Sequence, residues 1–466
     1  MNRDLTKGPV MRTMLRFAVP MIMGNLLQQC YNVADTMIVG KYLGKNALAA
    51  VGSSFTLMTF LTSILLGLCM GSGAVFSIRF GQRDEAGLKE SISASFVLIA
   101  GLTILLNIAT FICLDIVQIW LRVPEEVWGI MREYLAVIFC GIAATFLYNY
   151  FASLLRAIGN SVVPLVFLAV STILNIALDY WFVLGVKLGA AGAAEATVIS
   201  QYVASIGIMI YTLAQYPQFR MRLKHLRIQW ACIKEIAGFS ILTCIQQSVM
   251  NLGILMVQGL VNSFGAVIMA AFAAAVKIDA FAYMPVQDFG NAFSTFIAQN
   301  YGAKKEERIR AGLRGAILTV FIFCIVISVT VWVFADWLMR LFVNVEDMEV
   351  FQIVSEGIRY LHIEGAFYVG IGCLFLLYGL YRALGKPGMS VVLTVISLGT
   401  RVVLAYMLSA VPFIGVVGIW WSVPIGWFLA DMTGLIYYLI KKKQLLKFNV
   451  TNAVLPQPQS NPGLKA

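Results

Sequence analysis

The stretch Arg156-Ala157-Ile158-Gly159 recurs 226 residues later as Arg382-Ala383-Leu384-Gly385, and this recurrence decides how the chain is organised. Nearer the start of each half, the offset between matching residues is 221. The other matched positions, in the same order in both halves, are Gly44 with Gly265, Phe80-Gly81 with Tyr301-Gly302, Asp115 with Asp336, Tyr134-Leu135 with Tyr360-Leu361, and Gly189 and Gly192 with Gly415 and Gly418. Apolar sequences match Leu with Ile by chance, but they rarely align charged residues and turn glycines in order. The pattern therefore indicates an internal duplication.

Composition identifies the duplicated unit as a membrane bundle. Of the 466 residues, 60% are hydrophobic and only 12% are charged, which is too little charge for a protein surrounded by water. A helix that crosses the hydrocarbon layer needs about 20 apolar residues. Twelve such spans are predicted, at 14–39, 47–75, 92–119, 127–155, 162–184, 192–215, 235–262, 267–298, 312–340, 353–381, 388–410 and 415–440. We therefore predict an all-α integral membrane protein with twelve transmembrane helices in two pseudo-symmetric six-helix bundles.

Basic residues concentrate on one side of these spans. Of the 34 Lys and Arg residues, 25 lie on the side that carries both termini and seven lie on the other. Cytoplasmic loops carry such an excess, so both termini are predicted to be cytoplasmic, in a multi-pass protein of a bacterial plasma membrane. The predicted organisation is a first bundle at 1–215, a cytoplasmic linker at 216–234, a second bundle at 235–447 and a disordered tail at 448–466.

Two carboxylates lie within the predicted spans of the first bundle. Asp35 and Asp179 each lie about five residues from the end of a span, and an acid inside a membrane normally faces a cavity, a partner or an ion. The polar residues that accompany them at helical spacings or on neighbouring spans are Gln28, Tyr31, Asn32, Asn149, Asn175 and Glu195. We predict a site for ion coupling and substrate binding that exchanges a proton or holds Na⁺ transiently at the two acids. The alternative is a static polar network that ties the spans together.

The second bundle carries a different set of charged residues within its spans. They are Lys277, Asp279, Asp288, His362, Glu364 and Arg401. Met256 stands where Asp35 would recur, and Arg401 stands where Asn175 would recur, so the two halves have diverged in role. The two bases Lys277 and Arg401, together with the three acids, indicate a network whose charges neutralise one another. The functional alternative is that one acid, Asp279 or Glu364, leaves this network to bind a cationic substrate or a coupling ion. Asp288 is a candidate for the interface between the bundles.

Proline and the missing motifs constrain the mechanism. Pro20 lies fifteen residues before Asp35 and is a predicted hinge, because proline removes a backbone donor and kinks a helix. The sequence contains no GxxxxGK[ST] phosphate loop, no HExxH or GxSxG motif and no spaced Cys/His cluster. We therefore predict no enzyme activity, no cofactor and no resident metal, and we expect uphill transport to draw on a gradient of H⁺ or Na⁺.

The run Pro20-Met-Ile-Met-Gly-Asn-Leu-Leu-Gln-Gln-Cys-Tyr-Asn-Val-Ala-Asp-Thr-Met-Ile-Val-Gly40, followed by Leu48-Ala-Ala-Val-Gly52, resembles the opening of a multidrug and toxic compound extrusion (MATE) transporter. The likeness is closer to the DinF-like branch of that family. It implies an antiporter that exports cationic lipophilic compounds in exchange for H⁺ or Na⁺ by alternating access. It also implies a bending role for Pro20. The residues that match the coupling site of that branch are Asp35, Asn149, Asn175 and Asp179.

Two other functions fit parts of the pattern. A flippase for a lipid-linked oligosaccharide or lipid precursor, from the same superfamily, would need a more cationic cavity than Lys277 and Arg401 provide. A passive channel would need one continuous polar pore, which isolated buried acids do not form. We therefore predict a monomeric exporter whose partners are small cationic lipophilic molecules and membrane lipids, with no role for nucleic acid.

Overall fold

A computed structural model describes residues 4–116, 123, 125–219, 229–341 and 350–446. The helices are α1 (Val10–Leu43), α2 (Lys45–Gln82), α3 (Glu85–Ile112), α4 (Glu125–Cys140), α5 (Ile142–Ala157), α6 (Val162–Asp179), α7 (Gly189–Gln215), α8 (Trp230–Asn262), α9 (Ala266–Gly302), α10 (Glu306–Arg340), α11 (Val350–Gly365), α12 (Tyr368–Ala383), α13 (Pro387–Ser409) and α14 (Val417–Leu445). A π-helical segment, Tyr180–Gly185, continues α6. The predicted tail and the middle of the predicted linker lie outside the described residues.

These helices confirm the twelve predicted spans in two bundles. In the described parts of the chain, nine helices are individually long and apolar enough to cross a membrane. Two more spans are the bent pairs α4 with α5 and α11 with α12, which turn by 41° and 51°. The twelfth, α1, is 34 residues long, and its polar residues keep it less hydropathic than the others. The two bends fall at matching positions of the duplication, so the repeat extends to helix geometry.

Helix α1 crosses from one bundle to the other. Near its beginning, Met14 and Phe17 belong to the apolar core of the second bundle. Near its end, Ile38 and Val39 pack in the first bundle instead. Pro20 lies between these two contacts, inside the helix. The missing backbone donor therefore weakens α1 where it passes between the bundles, which supports the predicted hinge.

Helix α8, the counterpart of α1, crosses in the opposite direction. Its early residues Cys232 and Ile236 pack against α2 and α3 of the first bundle. Its later residues Val257 and Val261 belong to the core of the second bundle. The first part of α1 thus packs in the second bundle, and the first part of α8 packs in the first bundle. Both exchanges occur on the side of the molecule that carries the basic residues, which is called here the basic side.

On the basic side the bundles touch backbone to backbone. Gly81 at the end of α2 faces Gly302 at the end of α9, and the two are matching positions of the duplication. A Cβ on Gly81 would overlap the carbonyl of Gln299, and one on Gly302 would overlap the carbonyl of Ile78. This contact, called here the glycine seam, closes the basic side because no side chain holds the helices apart.

A second contact joins α2 to α8. Gly67 and Gly71 of α2 face the α8 backbone so closely that a Cβ at either position would overlap it. Toward the basic side, Arg79 of α2 forms an ion pair with Glu235 of α8 at 2.6 Å. The Arg79 side chain is only 7% exposed, whereas the Glu235 side chain is 43% exposed, so solvent screens this pair from the Glu235 side.

The segment before α1, residues 4–8, lies against the basic end of the second bundle and is called here the N-terminal strap. The N–H of Leu5 donates to Gln299 Oε1 at 3.1 Å, and Gln299 Nε2 donates to the carbonyl of Ala157 in the first bundle at 2.7 Å. The Arg308 guanidinium donates to three carbonyls of the strap. The strap is therefore held by the second bundle, and Gln299 links it to the place where the bundles meet.

Asp4 stabilises the turn within the strap. The N–H and hydroxyl of Thr6 donate to its carboxylate at 2.9 and 2.6 Å. Partial burial acts to raise the pKa of Asp4, but these hydrogen bonds and the charges of Lys7 and Lys305 outweigh it, so the pKa lies below its usual value. The carboxylate is therefore ionised at neutral pH.

Candidate functional site

Four of the predicted first-bundle residues lie together between α1 and α6. Asp35 is 8% exposed, and Asn175 and Asp179 are almost fully buried. Helices α1 and α6 pack along each other, which brings Asp35 close enough to Asp179 for their charges to interact. Tyr31, one helical turn before Asp35, faces both acids. These four residues are called here the acid site.

Thr197 of α7 connects the helices of the acid site. Its hydroxyl oxygen accepts from Tyr31 Oη at 3.4 Å and from Asn175 Nδ2 at 3.3 Å. Tyr134 of α4 is buried beside the same group, within electrostatic range of Asp35. Sequence reasoning missed both residues as site members. Thr197 is a single threonine in an alanine-rich segment, and nothing in its spacing marks it.

The acid site leaves several oxygens without partners. Asp35 Oδ1, Asn175 Oδ1 and both carboxylate oxygens of Asp179 are buried and accept no hydrogen bond from the described residues. Two ionised carboxylates at interacting distance in a medium of low dielectric constant strongly disfavour each other. The arrangement therefore suits a proton shared between the acids, or a cation with oxygen ligands such as Na⁺.

The other predicted first-bundle residues are not placed in the acid site. Gln28 is exposed. Asn32 donates to Gln29 Oε1 at 3.0 Å, and Asn149 Nδ2 donates to the carbonyl of Thr145 in its own helix at 2.8 Å. Helical spacing does put Gln28 and Asp35 on one face of α1, but the first bundle covers only the later part of that face. Glu195 is half-buried on α7.

The charged residues of the second bundle separate into a central group and three outliers. Asp279 and Glu364 are buried, 5% and 1% exposed, and lie close to each other. Arg401 is the cation within their electrostatic range. Tyr360 Oη donates to Asp279 Oδ2 at 3.5 Å. This group contains three of the six predicted residues, and its two acids outnumber its one base, so Arg401 alone does not neutralise it when both acids are ionised.

Lys277, His362 and Asp288 lie apart from that group. Lys277 is exposed. It precedes Asp279 by two residues, and residues two apart in a helix point in different directions, so its side chain points away from Asp279. The His362 ring stacks on Trp332 with centroids 4.5 Å apart and contacts the Trp332 carbonyl at 3.1 Å. Asp288 accepts a hydrogen bond from the first bundle. Among the described residues, the recorded contacts of the His362 ring are therefore with Trp332 and not with Glu364.

A further acid, Asp431 of α14, lies within the last predicted span. Its Oδ1 is buried and has no hydrogen-bond partner among the described residues. Like Asp35, it is a carboxylate inside an apolar span, and this feature of the sequence would have been enough to select it as a candidate site residue.

Comparisons with known proteins agree across almost the whole chain. A family model described as MatE matches residues 20–181 and 240–407. The chain is 30% identical to the "Probable multidrug resistance protein YpnP" of Bacillus subtilis (strain 168), over 95% of this chain and 98% of that protein. It is 22% identical to the "Multidrug export protein MepA" of Staphylococcus aureus (strain MSSA476), over 94% and 95% of the two chains.

Solved structures share the fold. The structure of a MOP superfamily transporter from Pyrococcus furiosus, described as having a binding pocket of reversed polarity, matches with a TM-score of 0.89 at 23% identity. The match covers 95% of this chain and 98% of that one. A multidrug resistance MATE family transporter in an outward-facing conformation matches with a TM-score of 0.88, also at 23% identity and with the same coverage.

Proposed function

The chain belongs to the MatE family of membrane transporters, and from this premise we propose that it exports cationic lipophilic compounds in exchange for H⁺ or Na⁺. Membership confirms the predictions of a multi-pass membrane carrier and of a protein that is not an enzyme. The relatives named as multidrug resistance or export proteins support the export of drug-like small molecules.

The acid site is the observation that carries the proposal. Asp35 and Asp179 are buried together, and no basic side chain among the described residues acts on either carboxylate. A pair of acids without a counter-charge must take up a proton, Na⁺ or a cationic molecule to remain stable inside a membrane. These occupants compete for the same oxygens. Competition between an ion and a cationic cargo is the physical basis of exchange.

Movement of the bundles alternates the access to this site. The glycine seam closes the basic side, so cargo released in this state leaves toward the opposite side. Entry of H⁺ or Na⁺ at the acid site neutralises the carboxylates and weakens their hold on a cation. Bending of α1 near Pro20 then transmits the change to the basic side, because the two parts of this helix pack in different bundles.

Gradient-driven transport in liposomes tests this proposal. Purified protein is reconstituted, and movement of a fluorescent monocationic dye is followed under a pH gradient alone and under a Na⁺ gradient alone. We expect uphill dye movement with one of the two gradients. Dye movement whose rate depends on neither gradient would contradict the proposal. Translocation of a fluorescent lipid-linked phosphate without any dye transport would favour a flippase instead.

We also propose that both termini are cytoplasmic, because basic residues cluster on their side. The test uses a variant in which the exposed native cysteines, Cys30, Cys113 and Cys140, are replaced with Ser. A single new cysteine is then introduced, either at Glu85 on the basic side or at Lys187 on the opposite side. In intact cells an impermeant maleimide is expected to label the Lys187→Cys variant only. Labelling of the Glu85→Cys variant before permeabilisation would reverse the orientation.

A further inference from the structure

Asp288 bridges the contact between α1 and α9, outside the acid site and outside the central group of the second bundle. It is 4% exposed, and one of its oxygens accepts a hydrogen bond from Asn25 Nδ2 of α1. Its other oxygen, Oδ2, is buried without a hydrogen-bond partner among the described residues. Arg156 of α5 is near enough for its charge to act on this carboxylate, although no ion pair shorter than 4 Å joins them. Its Nε is also buried without a hydrogen-bond partner among the described residues.

The duplication shows that this contact is polar in only one of two equivalent places. Gly67 of α2 matches Asp288, and Gln246 of α8 matches Asn25. Where Asp288 bridges α9 to α1, Gly67 instead lets the backbone of α8 approach α2 at Cys244. At the equivalent places, one pair of helices is thus packed tightly through glycine, and the other pair carries a buried carboxylate.

The duplication also shows that Arg156 lacks the hydrogen-bond acceptors of its counterpart. Its counterpart, Arg382, hydrogen-bonds within its own bundle to Asn291 Oδ1 at 3.0 Å and to Ser294 Oγ at 3.3 Å. The first-bundle positions that match these two partners are Met70 and Gly73. Neither side chain has an oxygen to offer. The first-bundle arginine therefore lacks the acceptors that satisfy its counterpart.

Prolines lie close to the Asp288 contact in both helices. Pro20 precedes Asn25 by five residues, and Pro285 precedes Asp288 by three, each inside its helix. A proline weakens the local helix, so bending of either helix near its proline changes this contact. An opening of the basic side that separates α9 from α1 and α5 would remove the hydrogen bond from Asn25 and the charge of Arg156, and a bare carboxylate within a span requires a new cation.

We infer that Asp288 is a binding site for the cationic cargo when the basic side is open, and that Asn25 and Arg156 displace the cargo when the bundles close. The inference rests on the proposed function, because that function makes the cargo an organic cation. Closing the bundles then exchanges one partner of Asp288 for another and moves the cargo onward. The site selects for positive charge and not for shape.

Two substitutions at this contact have opposite expected effects on cargo binding. In liposomes loaded from the basic side, Asp288→Asn is expected to raise the KM for a monocationic dye on the order of tenfold, with little change in kcat. Asn25→Ala is expected to lower both KM and kcat, because Asp288 then lacks a competitor and releases the dye slowly. Asp288→Glu keeps the charge and is expected to retain a KM near that of the wild type.

A structural role alone would give a different pattern. Asp288→Asn and Asn25→Ala would then shift KM in the same direction, and Asp288→Glu would behave like Asp288→Asn. Either result would overturn the inference. If liposomes with wild-type protein move no dye, the proposed function fails. Binding of the same dye to the purified protein, measured by fluorescence anisotropy, then tests this inference separately. Binding that is equal in wild type and Asp288→Asn would reject it, and binding lost in Asp288→Asn would support it.

Discussion

Gradient-driven export is expected to fall about a hundredfold or more when either Asp35 or Asp179 is replaced with Asn. Asparagine keeps the size and hydrogen-bonding shape of aspartate, but it can neither carry a negative charge nor bind and release a proton. Because the acid site has only these two carboxylates, a single replacement leaves one acid that can no longer share a proton or an ion with a second, and this is expected to remove the competition between ion and cargo. The measurement is the initial rate of uphill dye movement in liposomes with matched protein content.

Asp115→Asn is the matched control for this experiment. Asp115 forms an ion pair with Arg132 at 2.9 Å, and its side chain is 73% exposed. The same chemical change at this surface position is expected to leave export close to the wild-type rate, since exposed ion pairs contribute little. Export that persists in both Asp35→Asn and Asp179→Asn would show that coupling occurs elsewhere. The central group around Asp279 would then become the first alternative.

Gly302→Ala is expected to reduce export about tenfold or more by preventing closure of the basic side. The added Cβ would overlap the carbonyl of Ile78, and a backbone atom of a packed helix cannot move aside as a side chain does. Overpacking of this kind typically costs about 1–3 kcal/mol, which shifts an equilibrium between two states by roughly 5- to 150-fold. Gly81→Ala is expected to act in the same way from the other bundle.

Distances between the bundles distinguish blocked closure from general damage. Spin labels at Glu85→Cys and Glu307→Cys report the separation of the bundles on the basic side. In Gly302→Ala the long-distance population is expected to grow. Gly101→Ala is the control, because a Cβ at this helical position meets no atom within 4 Å. Wild-type distances and transport in Gly302→Ala would contradict a tight glycine seam.

The sequence was sufficient to predict the architecture, and the reason is the duplication. Matching turns such as Gly159 and Gly385 mark the same helix boundaries twice, so each apolar span supports the assignment of its counterpart. The bends in the fourth and tenth spans were not predicted, since both halves of each span are apolar and a bend leaves hydropathy unchanged. The crossing of α1 and α8 between bundles was also not predicted, because it depends on contacts between distant parts of the chain.

Site residues could be predicted where a charged or amide side chain interrupts an apolar membrane span, because such side chains are rare there. Asp35, Asn175 and Asp179 stand out in apolar spans, and the structure brings them together. Thr197 could not be recognised, because a threonine can satisfy its hydroxyl within its own helix and so gives no signal. Lys277 lies near Asp279 in sequence but points elsewhere, which shows that sequence proximity within a helix does not imply contact.

Proton release on cargo binding tests the central claim most directly. The purified protein is titrated with a monocationic dye in weakly buffered solution, with the released protons counted and the Kd measured over a range of Na⁺ concentrations. If cargo and ion compete at Asp35 and Asp179, dye binding will release protons or weaken as Na⁺ rises, and this linkage will vanish in Asp35→Asn. Dye binding by the wild type that releases no protons and is indifferent to Na⁺ would contradict the account.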